Sequence, residues 1–199
     1  MLTRCHDSSL VVDRLRDQAR DKNATVGCFY FDFKAPKEVS ATDILGSLLE
    51  QMISEMEVVP EEILRGLREH KNALCGTTLR LVEIVQILQL ITSSQPTFIC
   101  IDGLDECVGI QLARLLESLK QILEKSPGTR IFVTGRPHIR SAIEEHLAGR
   151  VASVSVDPSK DDVTRYIHAR LAKDKTPDAM DECLKAGVME NILRNTSGM

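Results

Sequence analysis

Two short stretches hold the residues best suited to chemistry. After the apolar run TFICI comes Asp102-Gly103-Leu104-Asp105-Glu106-Cys107. A carboxylate leaving the end of a buried strand is where phosphoryl-transfer folds hold Mg²⁺, and a second acid a few residues on can polarise the attacking water. Gly103 lets the backbone turn sharply without a Cβ clash. The plain alternative is a strand-to-helix turn whose acids only cap a helix starting near Ile110. After the run RIFVT comes Gly135-Arg136-Pro137. An arginine there, with Pro137 fixing the chain direction, can meet a terminal phosphate through a charge-assisted bond. The alternative is a surface arginine in an ordinary turn. Acids and an arginine at the ends of successive strands point to one edge of a sheet.

The elements that must position them are legible as periodicity. Residues 26–33 (VGCFYFDF), 97–101 (TFICI), 130–134 (RIFVT) and 151–156 (VASVSV) read as strands. The middle two are almost continuously apolar, as expected of strands covered on both faces. Ile44, Leu45, Leu48, Leu49, Met52, Ile53 and Met56 form a helical stripe, entered through Ser40-x-x-Asp43, a capping box with Asp in the usual Glu place. Leu112, Leu115, Leu116, Leu119, Ile122 and Leu123 form a second stripe, stopped by Pro127-Gly128. Val163, Tyr166, Ile167 and Leu171 form a third, opened by Asp161 and Asp162, which suit the positive end of a helix dipole. Strands alternating with helices predict an α/β fold, a parallel sheet with helices on both faces. Ligands of such sheets sit beyond the carboxyl ends of the strands.

Composition narrows the class. The chain has 199 residues, 43% hydrophobic and 27% charged, enough for one α/β core and short for two. Its 25 basic against 29 acidic residues, a net charge of -4, lack the basic footprint of a nucleic-acid binder. Residues 79–91 are apolar but broken by Arg80, Glu83, Gln86 and Gln89, so no membrane span is expected there, and the stripe is expected under the sheet. The start MLTRCHDSS lacks the apolar core of a signal peptide, which sets the expectation of a cytoplasmic protein or a piece of one. Six cysteines without a C-x-x-C pair and five histidines without H-E-x-x-H give no metal-ligand pattern, and Cys28 and Cys100 read as small core residues. Arg65, Arg68, His70 and Lys71 are interspersed with Glu61, Glu62 and Glu69, as on a solvated helix. Tyr30 and Phe31 lie mid-strand and are expected in the core.

The chain resembles the NACHT class of signal-transducing P-loop NTPases, particularly the nephrocystin-3-like N-terminal domain of fungal proteins carrying ankyrin or WD40 repeats. SSLVVDRL, VGCFYFDF, FICIDGLDEC, RIFVTGRP and the final NTSGM carry the resemblance, which covers nearly the whole chain. FICIDGLDEC is similar to the extended Walker B element of that class and TGRP to its sensor-1 arginine. The resemblance implies Mg²⁺ with ATP or GTP as cofactor and Asp102 as the acid on the Mg²⁺ side. It also implies that Asp105 and Glu106 orient or activate water, and that Arg136 reports on the γ-phosphate. It implies one domain over residues 1–199, with a core at 8–157 and a helical extension at 158–199. Partners would be other domains of the parent protein, ankyrin or WD40 repeats downstream, with self-association a further expectation and neither nucleic acid nor membrane among them.

One part of the pattern is missing. A P-loop enzyme needs G-x-x-x-x-G-K-[ST], whose backbone N–H groups cradle phosphate while Lys neutralises it and Ser or Thr holds Mg²⁺. No lysine here follows a glycine, the first glycine is Gly27, and Arg4 and Cys5 fall near where Lys and Ser/Thr would stand. The resemblance therefore implies a P-loop-type sheet without its first, central strand, which would run between the strands at 130–134 and 151–156. Two sheet edges left open in this way would invite strand donation. The expectation is a fragment of a signalling NTPase with weak or absent nucleotide binding, its alternative a non-catalytic scaffold or interaction module. A phosphatase-like metal hydrolase fits less well, because the acids at 102, 105 and 106 lack D-x-D spacing.

Overall fold

A computed structural model describes residues 6–22, 24–31, 39–56, 58–73, 79–147, 149–156, 159–171 and 181–196. The chain divides into two units, Met1–Val151 and Ala152–Met199. The first begins with α1 (His6–Lys22), β1 (Thr25–Tyr30), α2 (Ala41–Ser54), α3 (Glu61–Ala73), α4 (Leu81–Ser94) and β2 (Thr97–Asp102). It continues through a 3₁₀ turn (Leu104–Glu106), α5 (Gly109–Lys125), β3 (Arg130–Val133), a second 3₁₀ turn (Pro137–Ile139) and α6 (Arg140–His146). The second unit holds α7 (Lys160–Leu171) and α8 (Glu182–Thr196), which pack on each other.

The sheet is parallel, in the order β1-β2-β3. Chain order and spatial order coincide, so each crossover steps the same way, and right-handed crossovers stepping one way place their helices on one face. Accordingly α2, α4 and α5 form a core with Ile99 and Ile101 of the central strand, while α1 contributes Val12 and Ala19 against Val26 and Cys100 on the other face. This is the expected three-layer α/β arrangement. The α2 stripe buries Ile44, Leu45, Leu48, Leu49 and Met52, and α5 buries Leu115, Leu116, Leu119 and Ile122. The 79–91 stripe becomes α4 and is buried in the main core, as expected.

Local signals in the sequence resolve into hydrogen bonds. The Ser40 hydroxyl accepts from the Asp43 N–H at 3.2 Å, and the Asp43 carboxylate accepts from the Ser40 N–H at 3.1 Å. Ser159 and Asp162 repeat the motif at the start of α7, with the Asp162 N–H on the Ser159 hydroxyl at 3.1 Å. The serine's hydrogen bonds hold the Asp162 carboxyl below the usual range.

Two expectations change, and one sheet edge shows a feature the sequence did not announce. Residues 151–156 form no strand: they lie outside the sheet, with Val154 and Val156 exposed at 84% and 85%. A strand needs a neighbour for its ladder and a layer for its apolar side chains, and among the described residues the sheet stops at β3. Tyr30, at the end of β1, is exposed rather than core. The edge of β1 is not open along its length. The Cys28 N–H donates to Gln51 Oε1 at 3.1 Å, and Gln51 Nε2 donates to the Cys28 carbonyl at 2.9 Å. One amide side chain from α2 thus stands in for a neighbouring strand, a known way of guarding an edge. The expectations for Arg4 and Cys5, for residues 32 and 33, for the side chains of Ser8, Ser9, Glu69, His70 and Lys71, and for residues 197–199 lie outside the described residues.

A pair of substitutions checks this assignment. Leu48→Ala is expected to lower unfolding free energy by about 2–5 kcal/mol, and Val154→Ala to change it by less than about 0.5 kcal/mol. Urea unfolding measures both, and comparable losses would mean that residues 151–156 are packed.

Candidate functional site

The site begins where β2 runs out. Asp102 is the last residue of the central strand, half-buried, and Gly103 follows with φ 74 and ψ 38, the left-handed conformation that glycine adopts without penalty. The 3₁₀ turn that follows is pinned by Leu104, which is fully buried, and by the Glu106 N–H on the Gly103 carbonyl at 2.9 Å. Asp105 and Glu106 therefore project from an anchored turn. They do not cap the next helix: α5 starts at Gly109 behind Val108, which makes no side-chain cap, and its first turn holds no acid. That removes the plain alternative for these acids.

The end of β3 is tied to this turn by one residue. The Thr134 N–H donates to the Ile101 carbonyl at 3.0 Å, and its own carbonyl accepts from the Leu104 N–H at 2.9 Å. Its hydroxyl accepts from the Gly103 N–H at 3.0 Å and donates to Asp102 Oδ1 at 2.5 Å. All of the threonine's polar groups are spent on joining the two strand ends, and the aspartate is oriented in the process. Sequence reasoning took Thr134 only as the last residue of a strand; a hydroxyl-bearing residue closing the strand beside an aspartate was the available signal.

Beyond Thr134 the chain presses against the acid turn. A Cβ at Gly135 would come within 2.5 Å of Ile139 Cδ1 and 3.4 Å of both the Asp105 nitrogen and Asp105 Oδ1. This close approach delivers Arg136 to the acids. Arg136 Nε lies 3.2 Å from Asp105 Oδ2, and Arg136 Nη2 lies 3.9 Å from Glu106 Oε1. Asp105, Glu106 and Arg136 thus meet at the carboxyl edge of the sheet, just beyond the strand that ends in Asp102, and Arg136 is no solitary surface residue.

The rim is open rather than a deep pocket. Tyr30, Asp102 and Phe132 line a small depression on the α1 side. A groove of about 330 Å³ lies elsewhere, lined by Gln86, Gln89, Leu90, Ser93 and Lys125 with no carboxylate. Among the described residues no three His, Cys, Asp or Glu side chains gather to hold a metal by themselves. Mg²⁺ is usually held by one or two carboxylates together with phosphate and water oxygens, and the strand-end carboxylate of Asp102 is a donor of that kind. For the phosphates the fit is partial: Arg136 offers a guanidinium, and the chain contains no glycine-lysine cradle. The cysteines nearby are packing groups, as burial pushes the Cys107 thiol up to about 11 and the Cys100 thiol up to about 12.

Parallel α/β architecture, with three consecutive strands side by side and helices on both faces, defines the class of protein. Within that class, the family model of the nephrocystin 3 N-terminal region matches residues 6–136, more than half of the chain, and the match ends on Arg136. The chain belongs to that family. No curated protein and no solved structure matches it. Among the described residues no helix is long and apolar enough to cross a membrane.

Two measurements check the site's construction from its residues. Gly135→Ala is expected to destabilise the protein by about 1–3 kcal/mol through its clash with Ile139, read by urea unfolding, and no change would mean that Gly135 does not pack against Ile139. The buried thiols have raised folded pKa values, so their contribution is complete below the unfolded value of about 8.5 and is lost as pH rises toward the folded ones. The urea midpoint is expected to fall between pH 9 and pH 11, and Cys107→Ala to remove part of that slope. A slope identical in the variant would contradict the assignment.

Proposed function

We propose that the rim is the terminal-phosphate side of a nucleotide-dependent switch, acting on ATP or GTP with Mg²⁺. The observation that supports this most is the meeting of Arg136 with Asp105 and Glu106, next to an Asp102 whose carboxylate is already oriented by Thr134. In this reading Asp102 takes the cation, directly or through water. Arg136 addresses the γ-phosphate, and the acid turn beside it acts on the attacking water. Bound Mg²⁺ would supply charge neutralisation of the phosphates. What the chain's own residues do is orient: Thr134 fixes Asp102, and Gly135 allows Arg136 to approach the acids. Ordering and release of these loops would then alter contacts with other domains of the parent protein, with ankyrin or WD40 repeats as the expected carriers.

This chain has donors for the cation and the terminal phosphate and no backbone nest for the β-phosphate. Its own affinity is expected to be millimolar or weaker. Saturation-transfer NMR with millimolar ATP and Mg²⁺ tests the proposal. A weak contact that requires Mg²⁺ and is lost in Asp102→Asn supports it. No contact, or one indifferent to Asp102→Asn, rejects it.

A second reading, a non-catalytic interaction module, is favoured by one asymmetry of the sheet. Gln51 guards β1, while β3 has no strand beyond it among the described residues. Strand addition at β3 would give self-association that grows with concentration. Sedimentation across a wide concentration range decides it, and a monomer throughout counts against it.

A further inference from the structure

We infer that Asp105 is a positioning residue for Arg136 rather than an acid acting on water; this rests on the nucleotide reading above and divides the work of its two acids. A guanidinium offers separate edges, one through Nε and one through the paired Nη atoms. Here the closest approach to Asp105 is an ion pair through Nε at 3.2 Å, while that to Glu106 is a looser one through Nη2 at 3.9 Å. Asp105 therefore holds the arginine from the side and leaves the Nη fork, the edge that matches a phosphate, for an incoming anion.

Exposure separates the two acids in the same way. The Asp105 side chain is 9% exposed and Glu106 37%, whereas that of Arg136 is 74% exposed. A carboxylate so far removed from solvent needs a paired cation, and Arg136 is the cation it has. A group acting on water must reach that water within about 2.6–3.2 Å. Asp105 Oδ2 already faces Arg136, and Gly135 lies against Oδ1, close enough that a Cβ there would stand 3.4 Å away. Glu106, looser and more open, is the acid left facing solvent. Arg136 is otherwise a long, exposed side chain with many rotamers, and one tether at Nε is what turns it toward the rim.

The test uses the full chain in the wild-type, Asp105→Asn, Asp105→Ala, Arg136→Ala and doubly substituted forms. The readouts are the Nε–H resonance of Arg136 and the preference for ATP over ADP in the presence of Mg²⁺. Exchange of the Nε–H is expected to be slowest in the wild type and roughly tenfold faster in both Asp105→Asn and Asp105→Ala, because each removes the charge that holds the guanidinium. The preference for ATP is expected to fall by the same factor in Asp105→Ala as in Arg136→Ala, with the double variant no worse than either, and to fall in Asp105→Asn as well. An Nε–H that exchanges equally fast in wild type and Asp105→Ala overturns the inference, as do losses that multiply in the double variant. If the wild type contacts neither nucleotide, the nucleotide reading fails, and the Nε–H exchange alone decides whether Asp105 holds Arg136.

Discussion

The site depends on the hydrogen bonds by which Thr134 joins the ends of β2 and β3. Backbone bonds fix how far the two strand ends run side by side, and the hydroxyl bonds fix the direction of Asp102 and the turn at Gly103. In water, a lone aspartate at a strand end samples several rotamers; a hydroxyl proton on Oδ1 removes that freedom before any ligand arrives. The cost of ordering the rim is thus met during folding, which is the physical content of preorganisation. From Thr134 the chain needs only one further residue, Gly135, to bring Arg136 onto the acid turn.

Behind the rim stands a sheet whose consecutive strands step one way. That stepping puts the bulk of the apolar layer, α2, α4 and α5, on one face, where Leu48, Leu88, Ile99 and Leu119 are fully buried. The opposite face has α1 over β1 and β2, and Phe132 of β3 is left exposed. The two edges are equally unlike. Gln51 occupies the hydrogen-bonding groups of Cys28, whereas among the described residues β3 ends the sheet. The proposed phosphate site and the proposed strand addition would therefore both involve β3, one at its end and the other at its outer edge.

Much of this was legible in the sequence because it is periodic or local. The apolar spacing in α2 and α5, the Ser40–Asp43 box and the apolar run of β2 each declare themselves within a few residues. Asp102, Asp105, Glu106 and Arg136 could be placed at strand ends for the same reason, and the meeting of Arg136 with Asp105 and Glu106 accords with the parallel topology. What could not be read depends on neighbours distant in sequence. VASVSV has the composition of a strand, yet strand formation needs a partner, and no composition encodes whether one is present. Tyr30 lies in an apolar run but at its open end. Gln51 lies between Glu50 and Met52 in an otherwise ordinary helix, and nothing local marks it as a guard for an edge 23 residues earlier. Thr134 likewise acquires its role only when β2 lies beside it.

Anomalous diffraction from crystals soaked with Mn²⁺ and pyrophosphate tests the central claim most directly, because it locates cation and anion without presuming turnover. The expected result is a manganese peak within coordination distance of Asp102 and a phosphate against the Nη atoms of Arg136, with Thr134 still bonded to the aspartate. Manganese bound away from Asp102, or Arg136 turned off the acid turn with no phosphate beside it, would contradict the existence of a single phosphate-directed rim.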